Sequence, residues 1–410
     1  MSPRDTTPPG AGRHLVLLQG PASWFFWHLG AALEASGAAV TRVLLSGGDR
    51  LFWRGPAVSF RGRPAAWRPW LRRLLAERGA TDLVCLGDGR DWHCDGIAEA
   101  QAAGARVHIV EQGYLRPGWI TVEPDGMGAR SRIPRDPARI RALADDSPAS
   151  GGSGARPGCF ANYAAMDVAW NLATLLARPA WPHYRVHALH GPVFDWAGWL
   201  GKAVGAPLAA RRAHRVLSCI LQAGGPVFIF PLQLETDFQI RRDGPPGGVA
   251  GALETVIASF ARAAPPRARL VVKRHPLDNG LALWARRVRR AAAAAGVGAR
   301  CHYLAGGDLD WLLGRAAGLV TVNSTAGLTA LRCGIPVKLL GHAIYDVPGL
   351  TDRQALDGFW RAPTPPDHAL TEAFVTMLAH TVQVPGGFDG PSVRAGAAGT
   401  AARILGPVPF

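Results

Sequence analysis

Lysine is nearly missing from this chain: Lys202, Lys273 and Lys338 are the only ones, and every other basic side chain is an arginine. A coding bias that replaces lysine wherever arginine serves makes each surviving lysine worth notice. The six cysteines, Cys85, Cys94, Cys159, Cys219, Cys301 and Cys333, show no CxxC spacing and sit mostly among apolar residues. That pattern argues against a zinc site or a disulfide framework and for reduced core thiols. No apolar run reaches the roughly 18–20 residues that cross a bilayer. The first residues, MSPRDTTPPGAGR, lack the apolar core of a secretory signal. The expected location is therefore the cytosol or the inner face of the cytoplasmic membrane. Charge is also sparse, at 18% of residues against 48% hydrophobic, which is neither a disordered nor a fibrous composition.

What charge there is leans one way. Lys plus Arg total 45 and Asp plus Glu 30, a formal balance of +15. The arginines are scattered as pairs, such as Arg72 with Arg73, Arg211 with Arg212 and Arg289 with Arg290, instead of forming a block interleaved with aromatics. Such scatter disfavours nucleic acid and suits anionic lipid headgroups or a phosphorylated substrate. At roughly 150 residues per domain, the 410 residues predict two domains.

Four short apolar runs, HLVLLQG, TRVLLSGG, DLVCLGDG and RVHIVEQG, alternate with helical stretches and end in glycine or polar clusters. This βαβ rhythm predicts a parallel sheet whose ligands lie outside the carboxyl ends of the strands. DDSPASGGSGARPG, residues 145–158, reads as a loop or boundary. Trp170, Trp181, Trp196 and Trp199 then mark a helical segment, read as an interdomain layer with core tryptophans, with a membrane-surface patch as the alternative. The rhythm restarts in PVFIFPLQLETD, ARLVVKRHPLD, GLVTVNSTAGLTALRCG and IPVKLLG. The expected fold is α/β, with two Rossmann-like domains facing a cleft, a GT-B-like glycosyltransferase architecture. The boundaries are a disordered 1–13, an N-terminal Rossmann-like domain 14–144, a linker and Trp-rich segment 145–215, a C-terminal Rossmann-like domain 216–345 and a tail 346–410.

Chemistry concentrates at the strand ends. Asn323-Ser324-Thr325 precede a helix at about Ala326. Their hydroxyls cap it, and with the free N–H groups and positive helix end they also suit an anion. Lys273-Arg274-His275-Pro276 places cationic donors at another strand end, while Asp237 and Glu111 are carboxylates at the edges of the second and first domains. Two such carboxylates are the minimum set for a sugar transfer by double displacement. Capping, solvated loop charge and a structural histidine are the competing readings of these residues. Asp88, Asp91 and His93 in GDGRDWH read as a hydrogen-bonded loop in preference to a metal site.

The series LLQGPASWFFWHL, LSGGDRLFW, LGDGRDWH, EQGYLRPGWITVE, FPLQLETDFQI, VVKRHPLD, VNSTAGLTAL and GHAIYDVPGLT, in order over about residues 14–390, resembles the capsule-polysaccharide β-Kdo transferases of the single-module KpsS type. The resemblance implies a retaining transferase that uses CMP-Kdo and places the first Kdo on phosphatidylglycerol or its lyso form. It would work at the anionic inner-membrane surface, alongside other capsule assembly proteins and with no nucleic acid. By similarity, His275, Ser324 and Thr325, with Asn323 beside them, hold the CMP phosphate, and Lys273 supports that charge. Asp237 corresponds to the family aspartate assigned here as nucleophile, and Glu111 is the candidate acid/base. Gln112 and Thr236 stand where two-module relatives carry acidic neighbours. By position, Gln19 and Gly20 approach donor or acceptor, and Arg116 an anionic headgroup or the Kdo carboxylate. No cofactor and no metal is expected, because protein cations and a helix terminus can stabilise the leaving phosphate. The alternatives are a transferase for another CMP-activated acidic sugar and a non-catalytic glycolipid-binding assembly or export adaptor.

Overall fold

The computed structural model describes residues 8–147, 154–156, 158–186 and 191–410. The chain divides into two units, one made of Met1–Ile133, Ser147–His187 and Thr376–Phe410, the other of Pro134–Asp146 and Ala188–Val375.

The first unit is built on β1 (His14–Leu17), β2 (Ala39–Leu44), β3 (Val58–Ser59), β4 (Asp82–Leu86), β5 (Arg106–Gln112), β6 (Trp119–Pro124) and β12 (Gln383–Pro385). They form one sheet in the order β12-β6-β5-β4-β1-β2-β3. β1 to β5 run parallel, and β6 is antiparallel to both β5 and β12. Helices α1 (Phe25–Ala35) and α15 (Val393–Leu405) cover one face, over Leu15, Leu17, Val84 and Val110. Helices α3 (Trp67–Arg78) and α4 (Asp91–Ala102) cover the other, over Val16, Leu18, Leu83 and Ile109. Covering both faces is what makes these strands unbroken apolar runs in the sequence. The short α2 (Gly47–Leu51) starts with a capping box between Ser46 and Asp49, and α6 (Phe160–Leu176) sets Trp170 against Gly48.

The second unit carries β7 (Val227–Pro231), β8 (Arg269–Lys273), β9 (Cys301–Leu304), β10 (Gly318–Thr321) and β11 (Val337–Leu339), all parallel, in the order β11-β10-β7-β8-β9. Its helices are α5 (Pro137–Asp145), α7 (Pro192–Ala223), α8 (Phe238–Asp243), α9 (Gly248–Ala263), α10 (Trp284–Ala294), α11 (Leu309–Leu313), α12 (Thr325–Arg332) and α13 (Leu356–Phe359). The division between units falls inside α14 (His368–Thr381). Val256, Phe260, Leu270, Val272, Val320 and Trp360 lie in its main core.

Both sheets wind outward from their first strand in the same way: third, second, first, fourth, fifth. The winding reverses between β1 and β4 in one unit and between β7 and β10 in the other, the switch point at which α/β sheets open a crevice. The α/β expectation with two Rossmann-like sheets is met.

Several details differ from the sequence reading. Residues 1–7 lie outside the described residues, but 8–13, expected to be disordered, are tied down: Gly10 N donates to Ser36 O at 2.8 Å and Arg13 Nε to Asp82 Oδ2 at 3.0 Å. The loop expected at 145–158 lies partly outside the described residues. The 145–215 segment does not stay together; Trp170 and Trp181 are buried in the first unit, whereas Trp196 and Trp199 are half-buried on α7 in the second. The tail supplies β12 and α15 to the first sheet.

Two buried acids mark the first unit. Burial works to raise the Asp82 carboxyl, but hydrogen bonds from His108, Arg13 and Thr81 outweigh it and hold the group well below the usual carboxylate range. Glu123 is the opposite case. Burial pushes it up to about 7 against hydrogen bonds from Ser131 and Tyr114 Oη, the latter at 2.5 Å. The unfolded chain releases this proton near the ordinary glutamate value and the folded chain only near neutrality, so folding stability falls as pH rises from about 5 to above 7. The shift corresponds to roughly 3 kcal/mol. Glu123→Gln is expected to remove that slope and to be the more stable protein at pH 8. Urea titrations at pH 5 and pH 8 check it; parallel pH profiles for variant and wild type would contradict it.

Candidate functional site

Each switch point is spanned by a glutamine two residues beyond the unit's first strand. In the first unit Gln19, 1% exposed, follows β1. Its Nε2 donates to both Asp49 carboxylate oxygens at 3.1 Å and to Tyr184 Oη at 3.0 Å, and its Oε1 accepts from Arg90 Nη1 at 2.8 Å. Arg90 is the residue before α4, so the amide links the β1 exit to the β4 exit. Asp49 is fixed by the backbone N–H groups of Leu45 at 2.9 Å and Ser46 at 3.1 Å, with Arg42 at 3.7 Å. Burial pulls the Arg42 guanidinium down to about 10, against the opposing pull of Asp49. Gln19 thus orders the crevice edge through Arg90 and Asp49. Gly20 packs on Phe26; a Cβ there would lie 2.5 Å from its Cγ.

Glu111, at the end of β5, is half-buried. Its Oε1 accepts from Gln112 N at 2.9 Å, and its Oε2 lies 3.0 Å from where a Cβ on Gly87 would stand, beside the β4 exit. Gly87 takes a left-handed φ of +64°, which keeps that approach open to glycine. Arg116 is exposed in the following loop and donates from Nε to Gly113 O at 3.1 Å.

The GDGRDWH loop is occupied with structure. Asp88 accepts from Met127 N at 3.0 Å and from Arg130. His93 donates from Nδ1–H to Leu86 O at 2.8 Å, and burial drives it down to about 3, so its ring is neutral. No three His, Cys, Asp or Glu side chains converge on a metal position among the described residues.

In the second unit Gln233, buried beyond β7, plays the part of Gln19. Its Nε2 donates to Asn323 Oδ1 at 2.8 Å, and its Oε1 accepts from Asn323 N at 3.2 Å. This pair joins the β7 and β10 exits and delivers Ser324, whose Oγ accepts from Ala326 N at 3.2 Å, as the N-cap of α12. Tyr345 Oη donates to Ser324 O, and a Cβ on Gly327 would lie 2.2 Å from that hydroxyl, so the first turn of α12 is held against tyrosine. Thr325 opens the helix.

The β8 exit lies next to the β7 exit and carries the cations. Lys273 is 6% exposed, and no described residue hydrogen-bonds its ammonium. Burial lowers its pKa, Asp308 opposes that and Arg274 adds to it. His275 Nδ1 accepts from Leu277 N at 3.0 Å, which leaves the proton of the neutral ring on Nε2 as a donor. Asp237 is the half-buried N-cap of α8, with Oδ1 accepting from Gln239 N at 2.9 Å. Lys273, His275, Asp237, Asn323, Ser324 and Thr325 therefore share one sheet edge, at the ends of three neighbouring strands. A lysine with a buried stem, a ring N–H and a capped helix start on one edge can bind a phosphate.

Sequence reasoning missed Gln233, Tyr345, Asp49, Arg90, Tyr184 and Glu123. The matching signal was present in LLQG and PLQLETD, a glutamine at the same offset from the first strand of each rhythm.

Residues 81–388 match the family described as capsule polysaccharide biosynthesis protein. The capsule polysaccharide export protein KpsS of Escherichia coli is 32% identical over 376 residues, covering 91% of this chain and 96% of that protein. The capsule polysaccharide modification protein LipB of Neisseria meningitidis serogroup A is 30% identical over 397 residues, 92% of each. Among solved structures, the KpsC beta Kdo 2,7 transferase of Thermosulfurimonas dismutans covers 89% of this chain and 90% of its own at 15% identity, with a TM-score of 0.42. With three-quarters of its length matched and a 32%-identical relative covered nearly end to end, the chain belongs to the capsule polysaccharide biosynthesis protein family.

Proposed function

We propose that this protein is a retaining β-Kdo glycosyltransferase that takes Kdo from CMP-Kdo and adds it to phosphatidylglycerol or its lyso form, starting the poly-Kdo linker of a capsular polysaccharide. The ordered motif series and the family membership support the sugar and the pathway; the observation that carries the chemistry is the cationic edge of the second unit. A largely buried lysine with no hydrogen-bonding partner among the described residues is costly to keep charged, and a bound phosphate offsets that cost. His275 Nε2–H and the start of α12 complete the phosphate cradle.

In this reading Asp237 attacks the anomeric carbon of Kdo. The bond to the phosphate oxygen breaks with its electron pair, CMP leaves as an anion held by Lys273, His275 and the α12 start, and Kdo is joined to the Asp237 carboxylate as an ester. The acceptor hydroxyl then attacks the same carbon, its proton passes to Glu111, and the aspartate is released, so two inversions give net retention. Arg116 and the anionic acceptor are matched in charge. No helix among the described residues is long and apolar enough to cross a membrane. Enzyme and lipid are proposed to meet at the inner face of the cytoplasmic membrane.

Mass spectrometry of a reaction holding purified protein, CMP-Kdo generated in situ and a fluorescent phosphatidylglycerol analogue tests the assignment. One Kdo is expected on the lipid, with none from Asp237→Asn. Glu111→Gln should transfer on the order of 10²–10⁴-fold more slowly. Wild-type rates from Asp237→Asn would refute double displacement. Transfer only from another CMP-activated acidic sugar would move the donor, and absence of transfer from any donor would favour a glycolipid-binding adaptor.

Lys273→Met is expected to weaken CMP binding by about 10- to 100-fold, the loss of one charged hydrogen bond. Calorimetry with CMP reads this without turnover; unchanged affinity would take Lys273 out of the phosphate site.

A further inference from the structure

Helix α7 has two faces of different chemistry. Its inner face is seated on the second unit. Asp195 accepts from Asn279 Nδ2 at 3.0 Å, the Lys202 ammonium donates to Pro276 O, and a Cβ on Gly198 would lie 3.1 Å from Asn279 O and Leu281 Cγ. Ala213 and Ile220, on the same side, are buried. At 100° per residue the opposite side carries Val193, Ala197, Leu200, Val204 and Leu208, in steps of four, three, four and four residues, within an arc of about 80°. This is an apolar stripe turned to solvent: Val193 is 64%, Leu200 68% and Val204 77% exposed.

The same stripe then changes character without leaving its arc. The next positions along it are Arg211 and Arg215, both exposed, with Arg212 beside them, and α7 has no acidic residue after Asp195. The same face continues through His214, Arg215, Ser218, Cys219 and Gln222, polar side chains around a guanidinium. An apolar stripe roughly 22 Å long at 1.5 Å per residue, running into cations at one end, matches the acyl-to-phosphate gradient of an anionic membrane surface. A protein partner or a second copy would have to offer acids only at the arginine end. Helix α6 also exposes Leu172 and Leu176, but it contains no basic residue and so lacks the charge half of the pattern.

We propose that the outer face of α7 is the membrane-docking surface of this protein, with Val193, Leu200, Val204 and Leu208 entering the boundary between headgroups and acyl chains and Arg211 and Arg215 engaging lipid phosphates. This names the surface for the membrane location proposed above, and it rests on geometry that does not depend on the sugar or the donor.

The test is co-sedimentation of the full chain with phosphatidylcholine vesicles, with and without phosphatidylglycerol, in the absence of any donor. Wild-type protein is expected to bind the anionic vesicles and to lose binding as salt is raised. Leu200→Glu with Val204→Glu should weaken partitioning about tenfold or more, and Arg211→Glu with Arg215→Glu should remove the preference for phosphatidylglycerol. All four positions are exposed, and circular dichroism melts matching wild type would show that the fold is kept. Wild-type binding by both double variants overturns the proposal, as does failure of the wild type to bind either vesicle. Conversion of a dimer to a monomer by Leu200→Glu with Val204→Glu, seen by light scattering, also overturns it and assigns the face to a second copy. Transfer to a detergent-dispersed acceptor, measured in parallel, separates the two readings: wild-type protein that transfers Kdo but binds neither vesicle sinks the docking surface alone, and wild-type protein that binds vesicles without transferring sinks the enzyme assignment alone.

Discussion

A parallel sheet that reverses its winding leaves two strand exits diverging from a gap, and in both units of this protein a buried glutamine amide spans it. The choice of side chain follows from the neighbours. Gln19 must donate to the Asp49 carboxylate and accept from the Arg90 guanidinium at once, and Gln233 must do both toward Asn323. A side-chain amide carries both capacities, on separate atoms, without a charge. Left unmade, each buried hydrogen bond here would cost about 1–3 kcal/mol. The placement of Arg90 ahead of α4, and of Ser324 ahead of α12, depends on these bridges, so the two edges that carry the candidate chemistry hang from them.

The buried ionisable groups fall into two sets, and the difference separates scaffold from site. Asp82 is surrounded by Arg13, His108 and Thr81, and Asp49 by Arg42, Gln19 and two backbone N–H groups. These are paired ions whose value lies in holding loops in register, since burial consumes most of the Coulombic gain. Lys273 is buried without a hydrogen-bonding partner among the described residues, and Glu123 keeps its proton to near neutrality in place of a counter-ion. A buried cation left without a hydrogen-bonding partner is a candidate binding group, whereas a carboxyl that keeps its proton carries no charge to compensate.

Helix α7 shows the same separation in surface terms. Its inner side is fixed by polar contacts to the loop after β8, and its outer side is apolar and uncovered. Expected from composition as part of a core layer, its half of the Trp-rich segment instead keeps its tryptophans half-buried while leucine and valine face solvent.

The sequence by itself determined the parts of the molecule that rest on local order. Eight strands were visible as apolar runs because strands covered on both faces have no polar alternation. The strand-end clusters were visible because a chain leaving such a strand must turn polar. Lys273, His275 and Ser324 could therefore be placed at strand ends, and the family was recognisable from the same runs. Only the tertiary structure decided the rest. The strands β3 and β12 have two and three residues, and β9 is half-covered, too little pattern to read; each exists because a neighbouring strand supplies its partners. The pairing of Gln19 with Arg90 crosses 71 positions and that of Gln233 with Asn323 crosses 90. Which polar residues become network, which stay available to a ligand and which apolar residues stay uncovered are set by contacts between distant segments, and no local spacing encodes them.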